Sequence, residues 1–140
     1  MTLSARLAAV VDALPLHPGM RVLEIGGAPG AAAREVARRI GEGHVHVVDR
    51  SAAGVRLVER TCAREIGAGL LSVRCLDVVD LDLGGQQPFD LAFACRVGVL
   101  DGRHPGVVAR RRVAAVLTPG GRLFVDGGDP LREVDLRAAG

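Results

Sequence analysis

The stretch RVLEIGGAPG, residues 21–30, runs from an apolar segment into a turn of small residues, and the alanine-rich AAAREVARRI follows at 31–40. A strand, a glycine-rich turn and a helix in that order open a βαβ unit, because parallel strands need a long crossover between them. A turn of this kind sets backbone N–H groups and a helix N-terminus at the end of a strand, a setting suited to a nucleotide-like ligand.

The same alternation continues in both directions. Upstream, TLSARLAAVVDAL (2–14) places Leu3, Leu7, Val10, Val11 and Leu14 on one helical face, with Thr2 or Ser4 positioned to cap it. Pro15 and Pro18 stop that helix. Downstream, HVHVVD (44–49) reads as a second strand closing on Asp49, and SAAGVRLVERTCAREI (51–66) as a helix capped by Ser51. LLSVRCLD (70–77) is a third strand ending on Asp77, and VVDLDLGGQQP after it has no helical period. FDLAFAC (89–95) is a fourth strand, VVARRRVAAVL (107–117) a helix stopped by TPGG, and RLFVDGG (122–128) a fifth strand. A last short helix is expected from Asp129 and Pro130 onward. Strands alternating with helices predict right-handed crossovers and a Rossmann-like, doubly wound parallel sheet of about five strands in an α/β/α sandwich. One domain is expected over 1–140, with an N-terminal helix and turn at 1–20 and a core at 21–128.

Composition narrows the chemistry. Hydrophobic residues make up 49% of the 140, aromatic residues only 2%, and Trp and Tyr are absent, so the core rests on Val, Leu, Ile and Ala, as a parallel sheet allows. A net charge of +2 is too small for bulk attraction to nucleic acid or membrane. All 18 basic residues are Arg; without Lys there is no complete P-loop and no Schiff base. Cys62, Cys75 and Cys95 include no CxxC pair, which predicts reduced thiols in a cytoplasmic protein. No apolar run approaches membrane length.

Three motifs compete for the turn. The dinucleotide fingerprint GxGxxG, counted from Gly26, meets Ala28 and Ala31 where glycines are required. The P-loop fails for want of Lys. VLEIGGAPG, with Glu24 two residues before Gly26, resembles motif I of the class I S-adenosylmethionine-dependent methyltransferases, an acid-x-Gly-x-Gly-x-Gly pattern. Glu24, Gly26 and Gly30 match it, and Ala28 stands where the middle glycine is usual. The resemblance covers most of the chain, since FDLAFACRVGVL is similar to the family's fourth-strand motif and LTPGGRLFVDGG to the turn and strand that follow.

That resemblance implies S-adenosyl-L-methionine as cofactor. Gly26, Gly27, Ala28, Pro29 and Gly30 would pack against it, and Glu24 would lie near its amino group. Asp49, with Arg50 beside it, would hold the ribose, and Asp77 with Val78 the adenine. The backbone around Cys95 and Arg96 would line the reacting end. The cofactor carries no phosphate, so small residues serve by letting the backbone approach it.

The chain departs from the family after the fifth strand, where members add two more, the last antiparallel. The expected consequence is an exposed apolar edge on strand five, covered by a homodimer or a partner protein. The acceptor is expected to be a small-molecule O, N or C nucleophile rather than nucleic acid, because the amino-methylating motif is replaced by Cys95-Arg96-Val97-Gly98. His104, in LDGRHPG, is the best-placed candidate base, although an exposed loop His is the simpler reading. Cys95 reads as a lining residue rather than a nucleophile. His44 and His46 share a strand face at metal-compatible spacing without a third ligand, so no metal is expected. Arg110, Arg111 and Arg112 read as a solvated helix face. The alternative to a methyltransferase is a non-catalytic cofactor-binding module that regulates or completes a partner; a nicotinamide-binding domain is disfavoured by the failed fingerprint.

Overall fold

Residues buried on both sides of a strand leave no polar face to alternate with, and the central segments VLEI and LAFA are apolar almost throughout for that reason. The computed structural model describes residues 3–101 and 106–136. Its strands are β1 (Arg21–Ile25), β2 (His44–Asp49), β3 (Leu71–Cys75), β4 (Phe89–Ala94), β5 (Leu117–Asp126) and β6 (Leu131–Val134), in the sheet order β3-β2-β1-β4-β5-β6. The first five run parallel; β6 is antiparallel to β5.

Helices cover both faces. On one, α1 (Ala5–Ala13), α2 (Ala31–Arg39) and α3 (Ala52–Thr61) pack Val11, Val36 and Val58 against Val22, Val45, Leu91 and Phe93. On the other, α5 (Gly98–Asp101) and α6 (Val107–Val116) bring Leu100, Ala109 and Val113 onto Leu23, Ile25, Ala92 and Leu123. Ser4 and Ser51 cap α1 and α3, their Oγ atoms accepting from the N–H of Leu7 at 3.2 Å and of Gly54 at 3.0 Å.

Three expectations are corrected. The helix over 51–66 is two helices, α3 and α4 (Ala63–Gly67), because Cys62 leaves helical geometry (φ −110°, ψ 23°) as its buried thiol reaches the Gly30 carbonyl. The segment after Pro130 is a strand instead of a helix, the sixth of a sheet expected to hold about five. Leu131, Val134 and Leu136 have a spacing that fits neither period cleanly, and two-sided burial decides: Leu131 packs toward one core cluster and Val134 into the other. Gly127 (φ 114°) supplies the reversal that lets Phe124 pair with Glu133, and Arg122 holds Glu133 at 2.8 Å across the hairpin. The edge of β5, expected to need a dimer or a partner, is therefore covered by β6 of the same chain.

Candidate functional site

The sheet order reverses direction between β1 and β4, and in such sheets ligands bind outside the C-terminal strand ends at that switch. A cleft of about 480 Å³ lies there. Gly26, Asp49, Arg50, Asp77, Val78, Cys95 and Arg96 all line it. A larger hollow of about 750 Å³, between Leu117–Arg122 and the end of β6, lies at the opposite end of β5 and takes in none of these residues.

Glu24, Gly27, Ala28, Pro29 and Gly30 do not line the cleft: Glu24 lies on β1, and residues 27–30 continue the turn from Gly26, which does line it. A Cβ on Gly27 would stand 2.7 Å from Val47 Cγ1 and 2.8 Å from Glu24 Cδ, so the glycine is required for the loop to close over that carboxyl. Gly30 (φ 105°) ends the turn and caps α2, its N–H donating to the Gly27 carbonyl at 2.8 Å.

Glu24 is 4% exposed, and its Oε1 is buried without a hydrogen-bond partner. Burial, with the Asp49 carboxylate nearby, pushes its carboxyl up to about 8. A buried acid with an orphaned oxygen is an unmet demand for a donor or a cation. Asp49, ending β2, is the hub of the site: Oδ2 accepts from Ala28 N–H at 3.1 Å and Oδ1 from Ser51 N–H at 2.9 Å. It thereby fixes the glycine loop relative to the start of α3. Asp77 Oδ1 accepts from Val79 N–H at 3.2 Å and so caps the 3-10 turn Val78–Asp80.

At the other wall Arg96 has φ 58°, a left-handed conformation that costs an arginine of order 1–3 kcal/mol. It is held there by Asp126, whose Oδ1 accepts Arg96 N–H at 2.9 Å and whose Oδ2 meets Arg6 of α1 at 3.4 Å. Burial, with Asp126 next in weight, pushes the Cys95 thiol up to about 11, so it is a neutral lining group. Asp126 was missed as a site residue in the sequence, although it obeys the rule that singled out Asp49 and Asp77: an apolar strand closing on an acid. Val97 and Val99, also missed, supply the apolar lining beside Cys95.

The remaining candidates lie elsewhere. His104 is outside the described residues. His44 and His46 hydrogen-bond to Ser72, far along β2 from the cleft, and among the described residues no three His, Cys, Asp or Glu side chains converge on a metal-sized site. Arg111 and Arg112 lie on the exposed side of α6. Among the described residues no helix is long and apolar enough to cross a membrane.

A family model described as a methyltransferase domain matches residues 22–121. No curated protein matches the chain. Among solved structures, the CcbJ methyltransferase from Streptomyces caelestis is 27% identical with a TM-score of 0.67, over 86% of this chain and 47% of that one. The [4+2]-cyclase SpnF is 25% identical with a TM-score of 0.70, over 85% and 42%. A S-adenosylmethionine-dependent methyltransferase from Thiobacillus denitrificans, in complex with S-adenosyl-L-homocysteine, is 23% identical with a TM-score of 0.68, over 88% and 48%, a likeness of fold alone. The chain spans less than half the length of each of these three.

Proposed function

The chain belongs to the methyltransferase-domain family of class I fold, and from that premise we propose that its cleft binds S-adenosylmethionine and that the protein passes the methyl group to a small-molecule nucleophile. The observation that carries this reading is the buried Glu24 carboxyl with its orphaned oxygen, set under the glycine loop and beside Asp49. An amino acid ammonium is the kind of cation that such a group accepts, and the residues present fit the cofactor on that ground.

When bound, S-adenosylmethionine supplies an electrophilic methyl on a sulfonium sulfur, open to in-line displacement. The chain's own residues do the rest. Glu24, on giving up its proton, balances the ammonium charge. Asp49 keeps lone pairs beyond the two backbone bonds it accepts, and these suit the ribose hydroxyls. Asp77 and Val78 border the place for the base, with Arg50 at the rim. Asp126 holds the Arg96 turn, which with Cys95 and Val97 forms the wall at the reacting end. Displacement at a methyl group is governed by positioning, and a fixed wall contributes to it directly. Three free thiols among the described residues support a reducing, cytoplasmic setting.

Calorimetric titration with S-adenosylmethionine and S-adenosylhomocysteine, with NAD as control, tests the reading. Asp49→Ala should weaken binding of both by about 10- to 100-fold, as expected for charged hydrogen bonds of about 1.5–3 kcal/mol. Absence of binding, or equal binding of NAD, would remove the basis for the proposal. Binding without turnover across O, N and C acceptors would favour the partner-completing module instead.

A further inference from the structure

The connection from β3 to β4 carries only the 3-10 turn Val78–Asp80 and then loop, where a crossover helix would cover the sheet. On the face that this loop borders in place of a helix, β2 and β3 present polar side chains. His44 and His46 come from β2, and Ser72 comes from β3, directly opposite His46 in the parallel register. Ser72 and His44 are partly exposed, on the edge strand and its neighbour.

The hydrogen bonds among them admit one arrangement of neutral rings. His44 Nδ1 lies 2.8 Å from the Gly69 carbonyl oxygen, which can only accept, so Nδ1 carries the proton. His44 Nε2 is then a lone pair, and it accepts the Ser72 hydroxyl proton at 2.7 Å. With that proton committed, Ser72 Oγ accepts from His46 Nδ1–H at 2.6 Å. His46 is pinned for the purpose: it is 6% exposed and stacked on Phe89 at 5.9 Å with rings 7° apart. Burial first, with His44, Arg74 and Arg21 nearby, pushes its imidazole down to about 4, so it stays a neutral donor.

A hydroxyl within reach of an imidazole, the imidazole oriented by a third group, is the arrangement that turns serine into a nucleophile. Here a second imidazole donates to the same oxygen, which favours negative charge on Oγ. Arg74, two residues along the same face, adds positive charge, although Asp82 holds it at 2.6 Å. The methyl-transfer cleft uses none of these groups.

We propose that Ser72 is an activated nucleophile that accepts the acyl group of an activated ester, with His44 as its base. Ser72 Oγ bonds to the ester carbonyl carbon while His44 Nε2 takes the hydroxyl proton. The carbon–oxygen bond to the leaving group then breaks, the leaving oxygen departs with the electron pair and collects that proton, and a serine ester remains.

Labelling of the intact chain with p-nitrophenyl acetate, and separately with a fluorophosphonate, tests this by peptide mapping. The chain holds two other serines, Ser4 and Ser51, both helix caps, and they serve as internal controls. Ser72 should carry the adduct at least about a hundredfold faster than either, the scale of a positioned base, and His44→Gln should remove most of that advantage while Ser72→Ala abolishes the serine adduct. Thermal melts of each variant establish that it is folded. Equal labelling of the three serines in the natural chain would overturn the proposal without any variant, and so would labelling of Ser72 that His44→Gln leaves unchanged.

Discussion

Replacing Glu24 by Gln should make the protein more stable at neutral pH and less able to bind its cofactor. The carboxyl is buried among Val47, Gly27 and the loop, with one oxygen unpaired, and titrates near 8 against an ordinary value of 4.5. A folded-state value raised above the unfolded one contributes stability that is complete below 4.5 and is lost as pH climbs toward 8. Through that window the unfolded chain has released a proton that the folded chain retains, so stability falls by about 1.4 kcal/mol per pH unit. Between pH 4.5 and 7 the loss accumulates to about 3 kcal/mol. Glutamine has the same shape and no charge to bury, so Glu24→Gln should recover most of this at pH 7 and little at pH 4.5. For a chain of this length the gain corresponds to a melting temperature higher by about 6–12 °C. Urea denaturation at pH 5, 6, 7 and 8 reads it directly: the natural chain should lose stability across the series relative to the variant, and the two should converge at the acid end. In calorimetry the natural chain should release a proton on binding S-adenosylmethionine near pH 7, seen as a heat that depends on the buffer's ionisation enthalpy, and the variant should not. Parallel stability curves for the two chains would show that Glu24 is ionised and satisfied in the folded state, and the reasoning on which the cofactor fit rests would fail with them.

Gly27→Ala should lower stability by about 1–3 kcal/mol in urea denaturation, since its Cβ would press on Val47 and Glu24, and Glu24→Ala in the same chain should restore part of the loss. Asp126→Ala should destabilise by about 1 kcal/mol and weaken cofactor binding by calorimetry, because Arg96 N–H loses its acceptor; Asp126→Asn, which keeps an oxygen there, should be milder. Phe93→Ala, at a fully buried position of β4, should cost about 3–5 kcal/mol, enough to shift the urea midpoint far more than any substitution at the cleft.

The strands and the glycine loop were legible because burial on both faces forces unbroken apolar runs, and because a strand-to-helix turn needs small residues. Asp49 and Asp77 were legible by their place at strand ends. Glu24 could be named but not its state, since protonation depends on how deeply Gly27 lets the loop close. β6 was misread because LREVDL has three apolar residues at spacings that serve a helix or a strand, and only the waiting edge of β5 decides between them. Nothing local in the sequence singles out Ser72. Its pairing with His44 and His46 exists only through the β2–β3 register, which no local pattern encodes.

Fold alone does not determine reaction here: the chain is about as similar to a [4+2]-cyclase as to a methyltransferase. What separates a ligand site from a mere scaffold is where the molecule departs from its own local preferences. Elsewhere among the described residues the one other buried side-chain atom without a partner is Arg21 Nε, while Ser4 and Ser51 cap α1 and α3, charges pair on α2, and Arg122 and Glu133 close the β5–β6 hairpin. At the C-terminal end of the sheet three departures converge: a buried acid with an empty acceptor, an arginine in left-handed geometry, and carboxylates clustered at neighbouring strand ends. Each is unfavourable by itself, and each would be relieved or used by a cationic, hydroxyl-bearing ligand. A protein that only needed to fold would gain by Glu24→Gln, so the presence of glutamate there is best explained by something it binds.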